Sequence, residues 1–451
     1  KKKYYNEEQY LIDHQLNNES QIRSDISKVV EKANRAISIV NGLLKDVERV
    51  DNGQKYWYPI SLRVILQCSK NFTTLLGDKP YETFIKLSDV LTSRLGNLRM
   101  FVGTAILRLN NVPLSDELTQ EPLVDLLSRI LFRVKFLSDQ TPLDSLSLSY
   151  FLPLLQKVLE IGKKAVLSKK AKKVTSEFED EDPQEEQLLL AIEILGSHAE
   201  IFEDAHIPRT FVLKELLSLM QLPSKAKIAK ETFSSITQYI SDSISENDLQ
   251  VLLDTLVQPD AYIRTAVLES FDAEFTFNGG SICELFIATF DKDPQCQQLA
   301  LDIWEEGGFE KPSFSELLQF ANNKDNGLRL SIAESLADIS LSTWKIAPLY
   351  DHYREMVKPP SKVYDEYGLE VKSEQPQDRW ENRSTVALAL NEIVPEDVKE
   401  LVTFLIQEPA ALADQKDEVR EELQDAGLTT INRRGNEFME ELIPIFEACL
   451  S

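Results

Sequence analysis

A spacing that recurs along this chain leaves few folds open. Arg264, Arg329 and Arg383 are each followed by apolar residues three, four and seven positions on: Val267, Leu268 and Phe271; Ile332, Ala333 and Leu336; Val386, Ala387 and Leu390. Gln297 heads the same series with Ala300, Leu301 and Trp304. Such positions share one face of an α-helix. The markers at 264, 297, 329, 383 and 420 lie 33, 32, 54 and 37 residues apart. Those periods fit stacked helix pairs, none of which can bury its apolar face without a neighbour. The spacing therefore predicts an all-α chain, an α-solenoid. The longest interval contains one polar, proline-bearing stretch, residues 357–378, expected to be a loop inserted between two packed helices.

Composition agrees with helices and narrows the function classes. Glycine is scarce, at 15 residues in 451, and sustained apolar–polar alternation is nearly absent, which disfavours sheets. A formal net charge of −25 argues against broad, sequence-independent nucleic-acid binding while leaving room for a local basic contact. Cys68, Cys283, Cys296 and Cys449 are far apart and form no C-x-x-C pair, so neither a disulfide framework nor a zinc site is expected, and a reducing, cytoplasmic compartment is. No apolar run is long enough to span a bilayer, and Lys1-Lys2-Lys3-Tyr4-Tyr5 lacks a signal-peptide core. The chain opens without methionine and closes on the apolar run Leu442 to Leu450 without a polar capping repeat; both features read as an excised segment.

In chain order, residues 1–50 read as a long helical hairpin closed by the turn at Asp51-Asn52-Gly53. Residues 51–167 read as degenerate repeats, among them Arg99 followed by Val102 and Ile106. Residues 168–186 turn from basic to acidic and are expected to be a charged linker rather than a packed element. Residues 187–451 hold the best-formed repeats, with the inserted loop at 357–378. Ser245 to Asp248 and Ser313 to Glu316 have capping-box spacing, and Asp260, Asp293 and Asp325 each stand four residues before a marker, where a carboxylate caps a helix.

No catalytic constellation is present: the sequence lacks G-x-x-x-x-G-K-[ST], G-x-G-x-x-G and H-E-x-x-H, and the chain is expected to be no enzyme, with no cofactor, metal or small-molecule substrate. His198 and His206 are separated by eight residues, which is not the one-turn spacing of a helical zinc pair. Two stretches are candidate partner contacts. Lys163, Lys164, Lys169, Lys170, Lys172 and Lys173 form a basic run suited to RNA phosphate or an acidic protein, although cations at a helix C-terminus also complement its dipole. The inserted loop offers Lys358, Pro359, Pro360, Tyr364 and Tyr367, prolines lowering the entropic cost of docking the aromatics. Trp304, Trp344 and Trp380 are expected in the core.

The turns Asp260-Ala261-Tyr262-Ile263-Arg264 and Asp325-Asn326-Gly327-Leu328-Arg329 resemble those of HEAT repeats. Pro359-Pro360, Asp365, Gly368, Pro376, Asp378 through Arg383 and Ala387 through Asn391 resemble more narrowly the general control non-derepressible translational activator family. Glu7 to Arg23 is also similar to that family's region ahead of these repeats. The resemblance implies a very long solenoid that binds ribosomes, including stalled or collided ones, and helps activate the kinase of initiation factor 2 alpha in amino-acid starvation. It implies an ATP-binding-cassette partner as well, with kinase and cassette protein engaged by other parts of the full-length chain, and no membrane. A nuclear transport receptor or phosphatase scaffold is also acidic and built of helix pairs; the tryptophan-glutamate-x-arginine stretch and its loop favour the translational activator.

Overall fold

A computed structural model describes residues 98–450 except for 172–181, 358–377 and several shorter loop segments. The hairpin expected over 1–50 and the repeats expected before residue 98 lie outside the described residues. Every regular element among the described residues is a helix. The chain divides into two compact units, residues 1–248 and 249–451.

The first unit contains α1 (Leu98–Leu109), α2 (Leu123–Gln140), α3 (Ser145–Ala171), α4 (Pro183–Ser197), α5 (Thr210–Met220) and α6 (Ala226–Ile240). Helix α4 packs against α2 on one side and α6 on the other, while α3 touches α1, α4 and α5, so alternate helices form two adjoining rows. Val102 and Ile106 are buried in α1, Ile130 and Val134 in α2, Leu188 and Ile192 in α4, and Phe233 and Ile236 in α6. The helical periodicity thus carries the core here even where the marker arginine is missing. Both ends of the stretch expected as a linker over 168–186 are helical. Helix α3 runs on to Ala171, and α4 begins at Pro183, where the Asp182 carboxylate accepts the Gln184 amide at 3.0 Å. Proline in a first turn loses no hydrogen bond, so the acidic Glu185 and Glu186 belong to a helix N-terminus.

The second unit contains most of α7 (Glu246–Leu256), then α8 (Ala261–Ser270), α9 (Cys283–Ala288), α10 (Pro294–Gly307), α11 (Phe314–Leu318), α12 (Asn326–Thr343), α13 (Ala347–Val357), α14 (Trp380–Ile393), α15 (Val398–Ile406), α16 (Asp417–Arg434) and α17 (Met439–Leu450). The marker helices stack: α8 on α10, and α12 on α14 on α16. Each of α11, α13 and α15 packs on the marker helix that follows it. After Arg264, Arg329 and Arg383 all nine expected apolar positions are buried. The Gln297 series is looser, with Ala300 buried but Leu301 and Trp304 only partly so; Trp304 instead joins Phe286 and Phe309 in an aromatic chain. Trp380 is also half-buried, and Trp344 lies outside the described residues.

The caps form largely as expected. Asp260 accepts the Tyr262 amide at 3.0 Å, Asp293 the Gln295 and Cys296 amides at 3.1 and 3.0 Å, and Asp325 the Leu328 amide at 2.9 Å. Ser313 and Glu316 make the reciprocal capping box. The box at Ser245 closes on one side only: its hydroxyl accepts the Asp248 amide, but the Asp248 carboxylate is taken by Thr210 at 2.6 Å and Arg209 at 3.4 Å.

The marker arginines do more than head an apolar series. Arg264 Nη1 donates to the carbonyls of Gln258 and Pro259, and Arg329 Nη1 to those of Asn323 and Lys324, in each case six and five residues back. Arg420 donates likewise to the Asp414 carbonyl. Each guanidinium so closes its own turn. Two of them also reach forward to the next turn. Arg264 Nε and Nη2 donate to Asp291 at 2.7 and 2.9 Å, and Arg383 Nε and Nη2 donate to Asp414 at the same distances. Both aspartates are buried, and each also accepts the amide two residues on, from Asp293 and Lys416. After Gln297 the corresponding residue is Asn323, whose side chain accepts the Asp325 amide and donates to the Val257 carbonyl. A charged marker thus faces a charged turn, and a neutral one a neutral turn. Arg329 precedes the long interval and has neither; its Nε donates to the Ser384 hydroxyl at 3.2 Å, which in turn donates to Glu422 at 2.9 Å.

Removing one partner of a buried pair strands the other charge, so Asp414→Ala should lower stability by about 3–5 kcal/mol. The paired change Arg264→Gln with Asp291→Asn copies residues the chain already uses at 297 and 323. Urea unfolding of the single and double variants should show the double to be less destabilised than Asp291→Ala; equal loss would mean that the pair is not coupled.

Candidate functional site

The end of α13 and the start of α14, which flank residues 358–377, are tied together. Arg379 Nη2 donates to the Glu355 carbonyl at 3.0 Å, and His352 Nε2 lies 3.4 Å from Asn382 Oδ1. Arg383 forks between the exposed Asp378, 2.7 Å from Nη1, and the buried Asp414. Tyr353 donates to Asp414 at 2.6 Å, completing a buried cluster drawn from two helices and a turn. Burial would raise the Asp414 carboxyl, but Arg383, Tyr353 and the Lys416 amide together hold it below the ordinary carboxylate value. Burial and the adjoining Asp414 raise the Tyr353 hydroxyl, so it stays a donor. Arg329 and Lys416 both place a cation over the Trp380 ring, at 4.9 and 4.6 Å from its centre, which accounts for a half-buried tryptophan at a helix start. Lys358, Pro359, Pro360, Tyr364 and Tyr367 lie outside the described residues; their flanks are a fixed, hydrogen-bonded base.

The lysine run divides. Lys163 is half-buried and committed, donating to Glu215 at 2.8 Å and to Ser218 at 3.2 Å, and so joins α3 to α5. Lys164 is exposed, Lys169 and Lys170 fall in the last turn of α3, and Lys172 and Lys173 lie outside the described residues. Sequence pattern alone could not separate Lys163 from its neighbours, because its acceptors are 52 and 55 residues away. The run lies in the less acidic half of the chain. Residues 249–451 carry 39 acidic and 17 basic side chains, a net of −22, which leaves −3 for residues 1–248. A phosphate-bearing partner therefore meets far less repulsion at the first unit.

No grouping of three or more His, Cys, Asp or Glu able to hold a metal occurs among the described residues. No helix among them is long and apolar enough to cross a membrane. His198 is fully buried: its Nε2 accepts the Leu143 amide at 2.9 Å, and Nδ1 lies 2.6 Å from the Ile194 carbonyl, to which it donates. Both ring nitrogens are spent on backbone, so the residue joins the α2–α3 turn to the end of α4. Cys283 and Cys296 are buried free thiols.

Comparison with known proteins adds to this geometry. The family model described as "Stalled ribosome sensor GCN1, HEAT repeats" matches residues 270–451, and that described as "Fungal GCN1-like, HEAT repeats" matches residues 91–221. The chain is 39% identical, over 95% of its length, to the eIF-2-alpha kinase activator GCN1 of Saccharomyces cerevisiae, of which it spans 17%. It is 30% identical over 46% of its length to the stalled ribosome sensor GCN1 of Homo sapiens, spanning 8% of that protein. It is 22% identical over 97% of its length to the eIF-2-alpha kinase activator GCN1 of Dictyostelium discoideum, spanning 16%. No solved structure is matched.

The buried imidazole carries a pH dependence. Desolvation lowers the His198 pKa from 6.5, with the Ile194 carbonyl opposing, so the folded chain keeps it neutral while the unfolded chain takes up a proton. Stability is therefore lost as pH falls below 6.5 toward the depressed folded value. Urea midpoints across that range should decline less in His198→Gln, which does not titrate, than in the unmodified chain; parallel declines would assign the acid sensitivity elsewhere.

Proposed function

Because the chain belongs to the GCN1 family of HEAT-repeat proteins, we propose that it is a ribosome-contacting scaffold in translational control, contributing to activation of the eIF-2-alpha kinase on stalled ribosomes. The carrying observation is the 39% identity sustained over 95% of the chain to a protein named for that activation. The architecture supports a role by shape and contact. Its polar clusters are inter-repeat joints whose hydrogen-bonding groups are spent on one another, and the chain acts without chemistry of its own, in the cytoplasm, with the kinase and an ATP-binding-cassette protein held elsewhere on the scaffold.

Within the chain, the lysine run without Lys163 is the contact we favour for the ribosome: Lys164, Lys169, Lys170, Lys172 and Lys173, with Lys163 kept for the fold. Lys358, Pro359, Pro360, Tyr364 and Tyr367 form a second contact, presented from the tied ends of α13 and α14. The two differ in kind. Lysines pair with phosphate and weaken with salt, whereas prolines and tyrosines bury area and are less sensitive to it.

Cosedimentation with monosomes and nuclease-resistant disomes over a salt series separates them. Lys164→Glu, Lys169→Glu and Lys170→Glu together should weaken binding about tenfold at ~100 mM salt and flatten the salt dependence. Unchanged binding across the series would remove the lysines from the contact, and absence of binding by the unmodified chain would refute the ribosome reading for these residues.

A further inference from the structure

Helices α2, α4 and α6 enclose a groove of about 390 Å³ on the first unit, open to solvent. Apart from Lys135, its polar lining has mostly acceptor capacity left. Ser197 Oγ donates to the Glu193 carbonyl at 3.0 Å, and Ser235 Oγ to the Glu231 carbonyl at 2.9 Å, so both hydroxyl protons are used within their own helices. What these side chains have left is lone pairs. Glu193, half-buried in the wall, has no cation partner among the described residues. Glu231 faces Lys227 at 3.9 Å, with the lysine almost fully exposed, a pairing worth little in water. The one cation in the lining, Lys135, is held by Asp139 a turn along α2.

Thr232 supplies a separate observation. It is only 5% exposed, lines the groove, and its hydroxyl has no hydrogen-bond partner among the described residues. The residue is buried but the hydroxyl oxygen itself is not sealed off, so its hydrogen-bonding capacity is open to a group that enters the groove. The wall opposite is Gly196, where a Cβ would stand 3.3 Å from Thr232 Oγ1; any larger residue would crowd the hydroxyl. Glycine at 196 leaves the space beside Thr232 Oγ1 open. A concave site lined by carboxylates, by hydroxyls already spent as donors and by one unpaired hydroxyl suits a ligand that is cationic and rich in N–H groups. Ammonium and guanidinium groups have three and five donors and no acceptor.

We propose that this groove binds a basic polypeptide segment, an arginine or lysine side chain entering between Glu193 and Glu231 and donating to Thr232 Oγ1. The site goes beyond the ribosome contact and does not depend on it: its ligand is a protein cation, whereas the lysine run calls for an anion.

Fluorescence anisotropy of the whole chain with a labelled peptide of alternating arginine and serine, at ~150 mM salt to suppress long-range attraction, tests the site without ribosomes. Glu193→Gln with Glu231→Gln should weaken binding about tenfold, and Thr232→Val, which leaves charge and shape in place, about fivefold. Thr232→Ser should restore affinity, which guards against a packing effect of the valine. Asp302→Asn with Glu305→Gln makes the same charge change in the second unit and should alter affinity less than about twofold. Equal weakening by the two acid-neutralising pairs, undiminished binding by Thr232→Val, or no saturable binding by the unmodified chain would each overturn the site.

Discussion

A guanidinium taken out of water must find acceptors for its N–H groups, and the second unit is arranged around that requirement. The carbonyls left free where one helix ends and the next begins are the nearest acceptors, and Arg264 and Arg329 use them in the same way, five and six residues back. An isolated turn between two helices would need water for those carbonyls. Once the arginine closes them, the turn is a preformed block, and the remaining face of the guanidinium becomes the specification for the next block. At Arg264 and Arg383 that specification is met by a buried aspartate, itself fixed by an amide two residues on. The geometry sets register: a helix pair slipped by one position would place an apolar residue against the charge and lose both bonds. Buried ionic contacts add little net stability but penalise wrong arrangements heavily.

The apolar half of this plan was legible in the sequence because it is local. Positions three, four and seven residues past a marker lie on one helical face whatever surrounds the helix, and those after the three arginines are all buried. Caps at Asp260, Asp293 and Asp325 were legible for the same reason, since donor and acceptor lie within one turn. The polar half was not. Backbone carbonyls carry no residue signature, and the aspartates that meet Arg264 and Arg383 stand 27 and 31 residues downstream, at a separation that varies with each loop. A trace was available at three markers: the residues six before 297, 329 and 420 are Asp291, Asn323 and Asp414, charged where the preceding marker is arginine and neutral where it is glutamine, whereas 383, after the long interval, has Gln377 there.

The candidate contacts show the limit of reading composition. A run of lysines looks uniform in sequence, yet Lys163 is a joint between helices and Lys164 is exposed one residue later. Helical geometry turns neighbouring residues about 100° apart, so a block of like charge is always divided between faces. The groove in the first unit lay beyond the sequence for a related reason. Its lining comes from three helices whose residues are scattered over a hundred positions, and its character depends on which hydroxyl protons are already spent, a property of the fold rather than of serine or threonine.

The alternation of charged and neutral junctions in the second unit has a mechanical meaning. A bidentate arginine–aspartate pair resists sliding, because displacement in any direction in its plane stretches a charged bond. Gln297 instead donates to the Thr289 carbonyl of its own turn, and Asn323 spends its amide on the Asp325 and Val257 backbone, so neither side chain bridges forward as the arginine pairs do. Shear applied along the second unit is taken up more readily at that junction than at the two bidentate ones. The array is a chain of stiff links with a compliant joint written into it by one glutamine and one asparagine.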